Sequence, residues 1–193
     1  MNHRGRKTVH MSDASWIRSA LERFEAPLTR YAFGITGDLE RARDVVQDTF
    51  LRLCSESPAR LDGRVAPWLF KVCRNRALDV RKKEARTLSL EDGRSESWES
   101  LDPLPSAELE TKEGMTRVLA LLTTLPENQR EVIRLKFQNE LSYREISEIT
   151  GLSTSNVGFL LHRGLRSLRE LLQRDSRESS ESVRPVRPLR SVP

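Results

Sequence analysis

Residues 67–86 read PWLFKVCRNRALDVRKKEAR and carry seven basic and two acidic side chains. At helical spacing, Leu69, Phe70, Cys73, Ala77 and Val80 fall on one side. Trp68, Lys71, Val72, Asn75, Asp79, Lys82 and Lys83 gather on the other. Such a face suits single-stranded DNA, because a ring stacks on bases, an amide meets an exposed base edge and lysines hold phosphate. Trp68, Lys71, Asn75, Lys82 and Lys83 are therefore candidate DNA contacts, with Asn75 the base reader. A packing role for Trp68 and a structural one for Asp79 fit the same pattern.

A second cluster lies at residues 153–166, STSNVGFLLHRGLR. Ser153, Thr154, Ser155 and Asn156 stand where a helix begins and can meet phosphate or base edges. Val157, Leu160, Leu161, Gly164, Leu165, Leu168, Leu171 and Leu172 share one helical arc, expected to pack inward. Opposite them stand Phe159, His162, Arg163, Arg166, Ser167 and Arg169. Arginines there hold phosphates or fork onto guanine, and the Phe159 ring suits thymine methyl groups. A solvated charged face, or a protein contact through Phe159, is the alternative. The preceding LSYREISEITG favours DNA, since a short capped helix and a Gly turn before a longer helix place that helix in the major groove.

A third, weaker cluster is in LERARDVVQDTFLRL. Ala42, Val45, Val46, Phe50 and Leu53 supply a core face and leave Asp44, Gln47, Asp48 and Arg52 outside. That mixed polar patch suits docking on a protein.

Catalysis is not indicated. His3, His10 and His162 form no ligand cluster with Cys54 and Cys73, and no nucleophile motif or phosphate-binding Gly loop occurs. We expect no enzyme activity, catalytic residue, metal or cofactor. The two cysteines, far apart and in no CxxC setting, read as buried, reduced helix thiols.

The elements that must position these residues are helical, and no segment alternates like a strand. Ile17, Leu21, Phe24, Leu28, Tyr31 and Ile35 space out a first helix, which Pro27 is expected to kink or restart. Asp38 caps a second. Pro58 to Arg64 reads as a loop, and Pro67 opens a third helix. After Arg86 the chain turns rich in Ser, Asp, Glu and Pro, with eight acidic and two basic side chains over residues 88–113. A helix over 107–122 follows, then one opened by Pro126, then the helix pair, with Ser142 and Glu145 as a capping box.

The fold class is thus all-α: two small helical domains joined by a flexible acidic linker, the C-terminal one a helix-turn-helix. We divide the chain into a disordered tail (1–14), a helical domain (15–86), a linker (87–106), a helix-turn-helix domain (107–174) and a disordered tail (175–193). The net charge of +5 over 193 residues favours a polyanionic partner. No apolar run approaches the roughly 18 residues needed to span a bilayer, and no signal peptide is visible. A cytoplasmic protein without membrane contact is expected, starting at Met1 or Met11.

DLERARDVVQDTFLRL, PWLFKVCRNRALDVRKK and LPENQREVIRLKF with LSYREISEITGLSTSNV stand in the order seen in bacterial RNA polymerase sigma factors. Over residues 15–86 and 107–172 the chain resembles the two-domain extracytoplasmic-function type of the sigma-70 family. The resemblance implies that the first domain is sigma region 2 and the second sigma region 4. It implies that Asp44, Gln47, Asp48 and Arg52 dock on the clamp helices of the polymerase's largest subunit. It implies that the Asn75 helix opens and reads the −10 promoter element, with Asn75 facing an extruded base. The 153–166 helix, with its Ser153, Thr154, Ser155, Asn156, Phe159, His162, Arg163 and Arg166, would read the −35 element. Partners would be core RNA polymerase and promoter DNA, with an anti-sigma protein as an optional third. Gly158, Phe159 and Leu160 depart from the basic or small polar residues usual in the family, which alters the expected −35 sequence rather than the fold. A polymerase-docking adaptor and a stand-alone helix-turn-helix regulator are the rival readings. The regulator would need a dimerisation element or ligand pocket, which the first domain does not visibly supply.

Overall fold

The computed structural model describes the backbone of residues 11–91 and 117–181, and the side chains of 15–86 and 117–175. Of the expected tails (1–14 and 175–193) residues 1–10 and 182–193, and of the expected linker (87–106) residues 92–106, lie outside the described residues, as does the chain from 107 to 116. Among the described residues there is no strand.

Helix α1 (Met11–Thr36) is continuous through Pro27, where a kink or a restart was expected; it does not restart there. Proline removes one backbone donor and crowds the preceding turn. Tertiary packing outweighs that local cost, because Leu28, Tyr31 and Ala32 immediately beyond it are all buried. Gly37, at φ 72°, ends α1 and donates its N–H to the Phe33 carbonyl at 2.9 Å. Asp38 then caps α2 (Leu39–Leu53), its carboxylate accepting from the Arg41 N–H at 2.9 Å. That cap satisfies one of the orphan donors of a helix start.

Pro58 to Arg64, read as a loop, contains a short helix α3 (Pro58–Leu61) that buries Leu61. A single turn opened by proline leaves no periodicity to detect. Asp62 and Gly63, both at positive φ, then reverse the chain into α4 (Val65–Glu91), which continues beyond Arg86. Pro67 lies in the first turn of α4, where its missing N–H costs nothing. Leu28, Tyr31, Val45, Leu53, Leu69, Phe70 and Cys73 form the core of α1, α2 and α4. Tyr31 and Phe70 meet edge to face at 5.3 Å.

Helix α5 is described over residues 117–123, and Pro126 precedes α6 (Glu127–Ile133). A π-helical turn (Arg134–Gln138) follows, then Glu140 at φ 55°. Ser142 and Glu145 form the expected capping box at the start of α7 (Tyr143–Thr150). Gly151 at φ 78° closes α7 and leads into α8 (Thr154–Glu181), so the helix extends past Arg174. Gly164 is buried: a Cβ there would meet Ile133 Cδ1 at 2.7 Å and Gln129 Cβ at 3.2 Å. Arg117 and Asp175 form an ion pair, and that hydrogen bond holds the Asp175 carboxyl below the ordinary carboxylate range.

By backbone proximity the described residues form two compact units. One holds everything up to Glu91 together with Arg134–Val157, the other residues 117–133 and those from Gly158 onward. This grouping differs from the division at 15–86 and 107–174 expected from the sequence.

Candidate functional site

The Asn75 face is built on a helix with a deeply buried opposite side. Leu69, Phe70, Cys73 and Ala77 are at most 1% exposed, so α4 cannot roll without breaking the core. That anchoring turns Asn75, Lys71, Asp79, Lys82 and Lys83 to the outside, while Trp68, Val72 and Val80 are half-buried. Trp68 therefore combines packing with a partly open ring. The Cys73 thiol, facing the Leu28 carbonyl at 3.9 Å, is pushed by burial up to about 12, against an opposing hydrogen bond with Thr49. It is a packing group without thiolate chemistry.

On α2, Asp44, Gln47 and Arg52 are exposed and Asp48 is half-buried. Asp48 accepts from Arg76 Nε at 2.8 Å, and Arg41 pairs with Glu84 at 2.7 Å. Both ion pairs join α2, which carries the mixed polar patch, to α4, which carries the Asn75 face. Neither partner of the Asp48 pair signals the other in sequence. Leu51, 61% exposed, lies one and two turns beyond Gln47 and Asp44 on the same stripe. Sequence reasoning passed over it, although its spacing from the core residues already turned it outward. Cys54, expected to be buried, is exposed at the C-terminal end of α2, because Leu53 takes the inward position there.

The candidates on α8 are all on the outside: Ser153, Thr154, Ser155, Asn156, Phe159, His162, Arg163 and Arg166 are exposed. Ser153 is also the cap of the helix, accepting from the Asn156 N–H at 3.2 Å. Of the expected inward arc, Val157, Leu161, Gly164 and Leu168 are buried, and Leu160, Leu171 and Leu172 are half-buried. Leu165 is instead exposed, because it stands at the margin of the arc, about 70° from its centre at 100° per residue. Before the turn, Tyr143 is 46% exposed with Lys136 Nζ 5.7 Å from its ring centre. This cation and phenol escaped sequence reasoning, since the π-helical turn that presents Lys136 has no periodic signal.

Among the described residues no group of three His, Cys, Asp or Glu side chains could hold a metal ion. No helix among them is long and apolar enough to cross a membrane.

Residues 20–87 match the family described as sigma-70 region 2, and residues 115–168 match sigma-70, region 4. The chain is 31% identical to the ECF RNA polymerase sigma factor SigM of Bacillus subtilis, over 69% of this chain and 81% of that protein. It is 30% identical to the ECF RNA polymerase sigma factor SigL of Mycobacterium tuberculosis, over 81% and 88% respectively. In fold it is similar to the sigma factor RpoE of Bartonella quintana, solved with the anti-sigma factor NepR. The TM-score is 0.66 at 23% identity, covering 82% of this chain and 97% of that one. CnrH, solved with the cytosolic domain of CnrY, is similar at a TM-score of 0.57 and 23% identity, covering 84% and 90%.

Proposed function

The chain belongs to the sigma-70 family as an extracytoplasmic-function sigma factor, and from that membership we propose how its surfaces share the work of directing transcription initiation. It acts on core RNA polymerase and promoter DNA in the cytoplasm, by binding rather than by catalysis. Asp44, Gln47, Asp48 and Arg52, with Leu51 among them, dock on the polymerase. Trp68, Lys71, Asn75, Lys82 and Lys83 engage the −10 element as it opens. Residues 153–166 read the −35 element in the major groove, and Lys136 and Tyr143 hold its phosphates. An anti-sigma protein is a third partner, by analogy with the complexes of the two structural neighbours.

One observation carries the reading of the first domain. Asn75 is an exposed amide on a helix locked by its core and pinned through Arg76 to the docking helix. Polymerase docking thereby delivers a base-reading group at a fixed place. The adaptor reading takes its support from Gly158 and Leu160, which offer no polar group to DNA. Purified core polymerase with genomic promoter DNA separates the two: selective initiation on addition of the chain is expected. Tight polymerase binding without selective initiation at any promoter would establish an adaptor instead.

A further inference from the structure

Arg163 and Arg166, two of the outward arginines of α8, are in different states. Arg166 Nε bonds Glu170 Oε1 at 3.1 Å, one turn toward the helix C-terminus. Arg163 instead lays its guanidinium over Phe159, the central carbon 5.7 Å from the ring centre. Phe159 is itself 56% exposed, so the ring is open to a further contact. We infer that Phe159 and Arg163 act as one unit that reads a two-base step, a thymine followed on its 3′ side by a guanine. This rests on the assignment of residues 153–166 to the −35 element.

Three physical points lead to that step. An aromatic face attracts a guanidinium and holds its plane, so Arg163 is partly ordered before DNA arrives. An ordered guanidinium fork matches guanine O6 and N7 in the major groove, a pattern no other base presents. A methyl group is what an open aromatic ring can distinguish there, and among the DNA bases only thymine carries one. Right-handed winding of the duplex places a thymine methyl over the major-groove edge of the base 3′ to it. A ring–guanidinium unit can therefore cover the methyl and fork onto the following guanine together. Arg166, held by Glu170, is left to phosphate. A lone arginine would accept guanine after any base; the coupled pair requires both bases in order.

The test uses the full chain reconstituted with core polymerase on a promoter whose upstream element is randomised, followed by defined duplexes. The thymine–guanine step should be enriched. Replacing that thymine by uracil removes only the methyl and should weaken upstream binding about threefold. Replacing the guanine by 7-deazaguanine should weaken it roughly tenfold. In Phe159→Ala the uracil effect should vanish and the 7-deazaguanine effect should shrink, because the guanidinium has lost its support. Arg163→Lys should keep salt-dependent affinity but weaken the guanine preference, because an ammonium lacks the planar fork and is not held by the ring. Phe159 and Arg163 are exposed, so both variants should fold, which a thermal melt checks. If uracil and thymine bind alike, or Phe159→Ala keeps full guanine discrimination, the coupled unit is wrong while the −35 assignment stands. If no upstream sequence is enriched by the wild type, the −35 assignment fails and this inference with it.

Discussion

At the scale of single residues, the proposed docking stripe and the proposed −10 face make separable predictions. Reversing charge at both Asp44 and Asp48 sets like charges against a matched surface, costing on the order of several kcal/mol in a desolvated contact. Asp48→Lys also confronts Arg76, its partner at 2.8 Å, so the double change disturbs α2–α4 packing as well. Asp44→Lys and Leu51→Ala avoid that contact. Each should weaken core-polymerase binding by roughly 1–2 kcal/mol with an unchanged melting temperature. Undiminished capture of core enzyme by the double variant would remove α2 as the docking surface. Asn75→Ala should impair promoter opening more than polymerase binding, by roughly 1–3 kcal/mol if a bidentate base contact is lost. Permanganate reactivity of the −10 thymines measures it, and normal opening would return Asn75 to the solvated surface. Cys73 makes a prediction about pH. Its folded pKa, about 12, lies above the ordinary 9.0, so the native state keeps the proton longer than the unfolded chain. Its contribution is full below pH 9 and falls as pH rises toward 12, by up to about 1.4 kcal/mol per unit. Urea midpoints of wild type minus Cys73→Ala between pH 8 and 11 isolate that slope, and a flat difference would show that the thiol ionises freely.

Element by element, what was legible in the sequence is what local chemistry decides. Asp38, the Ser142–Glu145 box and Gly151 mark helix ends through bonds within a few residues, and each stands where the sequence placed it. The helix does not restart at Pro27, because the packing of Leu28, Tyr31 and Ala32 that carries it through is not local. The π-helical turn at Arg134–Gln138 had no signal, and its consequence is visible only in space: Glu140 follows at φ 55°. A side chain in that region costs about 1–2 kcal/mol, part of which glycine returns as unfolded-state freedom. Glu140→Gly should therefore stabilise the fold by about 0.5–1 kcal/mol, a rise of a few degrees in a thermal melt. A fall in melting temperature would mean that the Glu140 side chain contributes more than its backbone strain costs. The Asp48–Arg76 pair was equally illegible, since it joins residues of two helices with no motif in common.

For the whole molecule, the proposed function needs one chain to reach two DNA elements. The proposed −10 face lies on α4, whose helix runs to Glu91, and the proposed −35 reader is preceded by a helix described from residue 117. The family's promoter elements lie about two duplex turns apart, roughly 70 Å. The chain between, residues 92–116, can extend to roughly 80–90 Å at most, enough for that span with little to spare. Deleting residues 95–106 leaves a reach of roughly 45 Å, which is too short. The deletion should leave polymerase capture and opening of a strong −10 element intact, because α1, α2 and α4 precede the cut. It should abolish footprint protection of the −35 element on the same promoter. A Gly–Ser insert of the deleted length should restore that protection if reach alone is limiting. Restored length without restored protection would assign the role to the acidic side chains of this stretch. Full −35 protection by the shortened chain would mean that the two readers do not act across this tether.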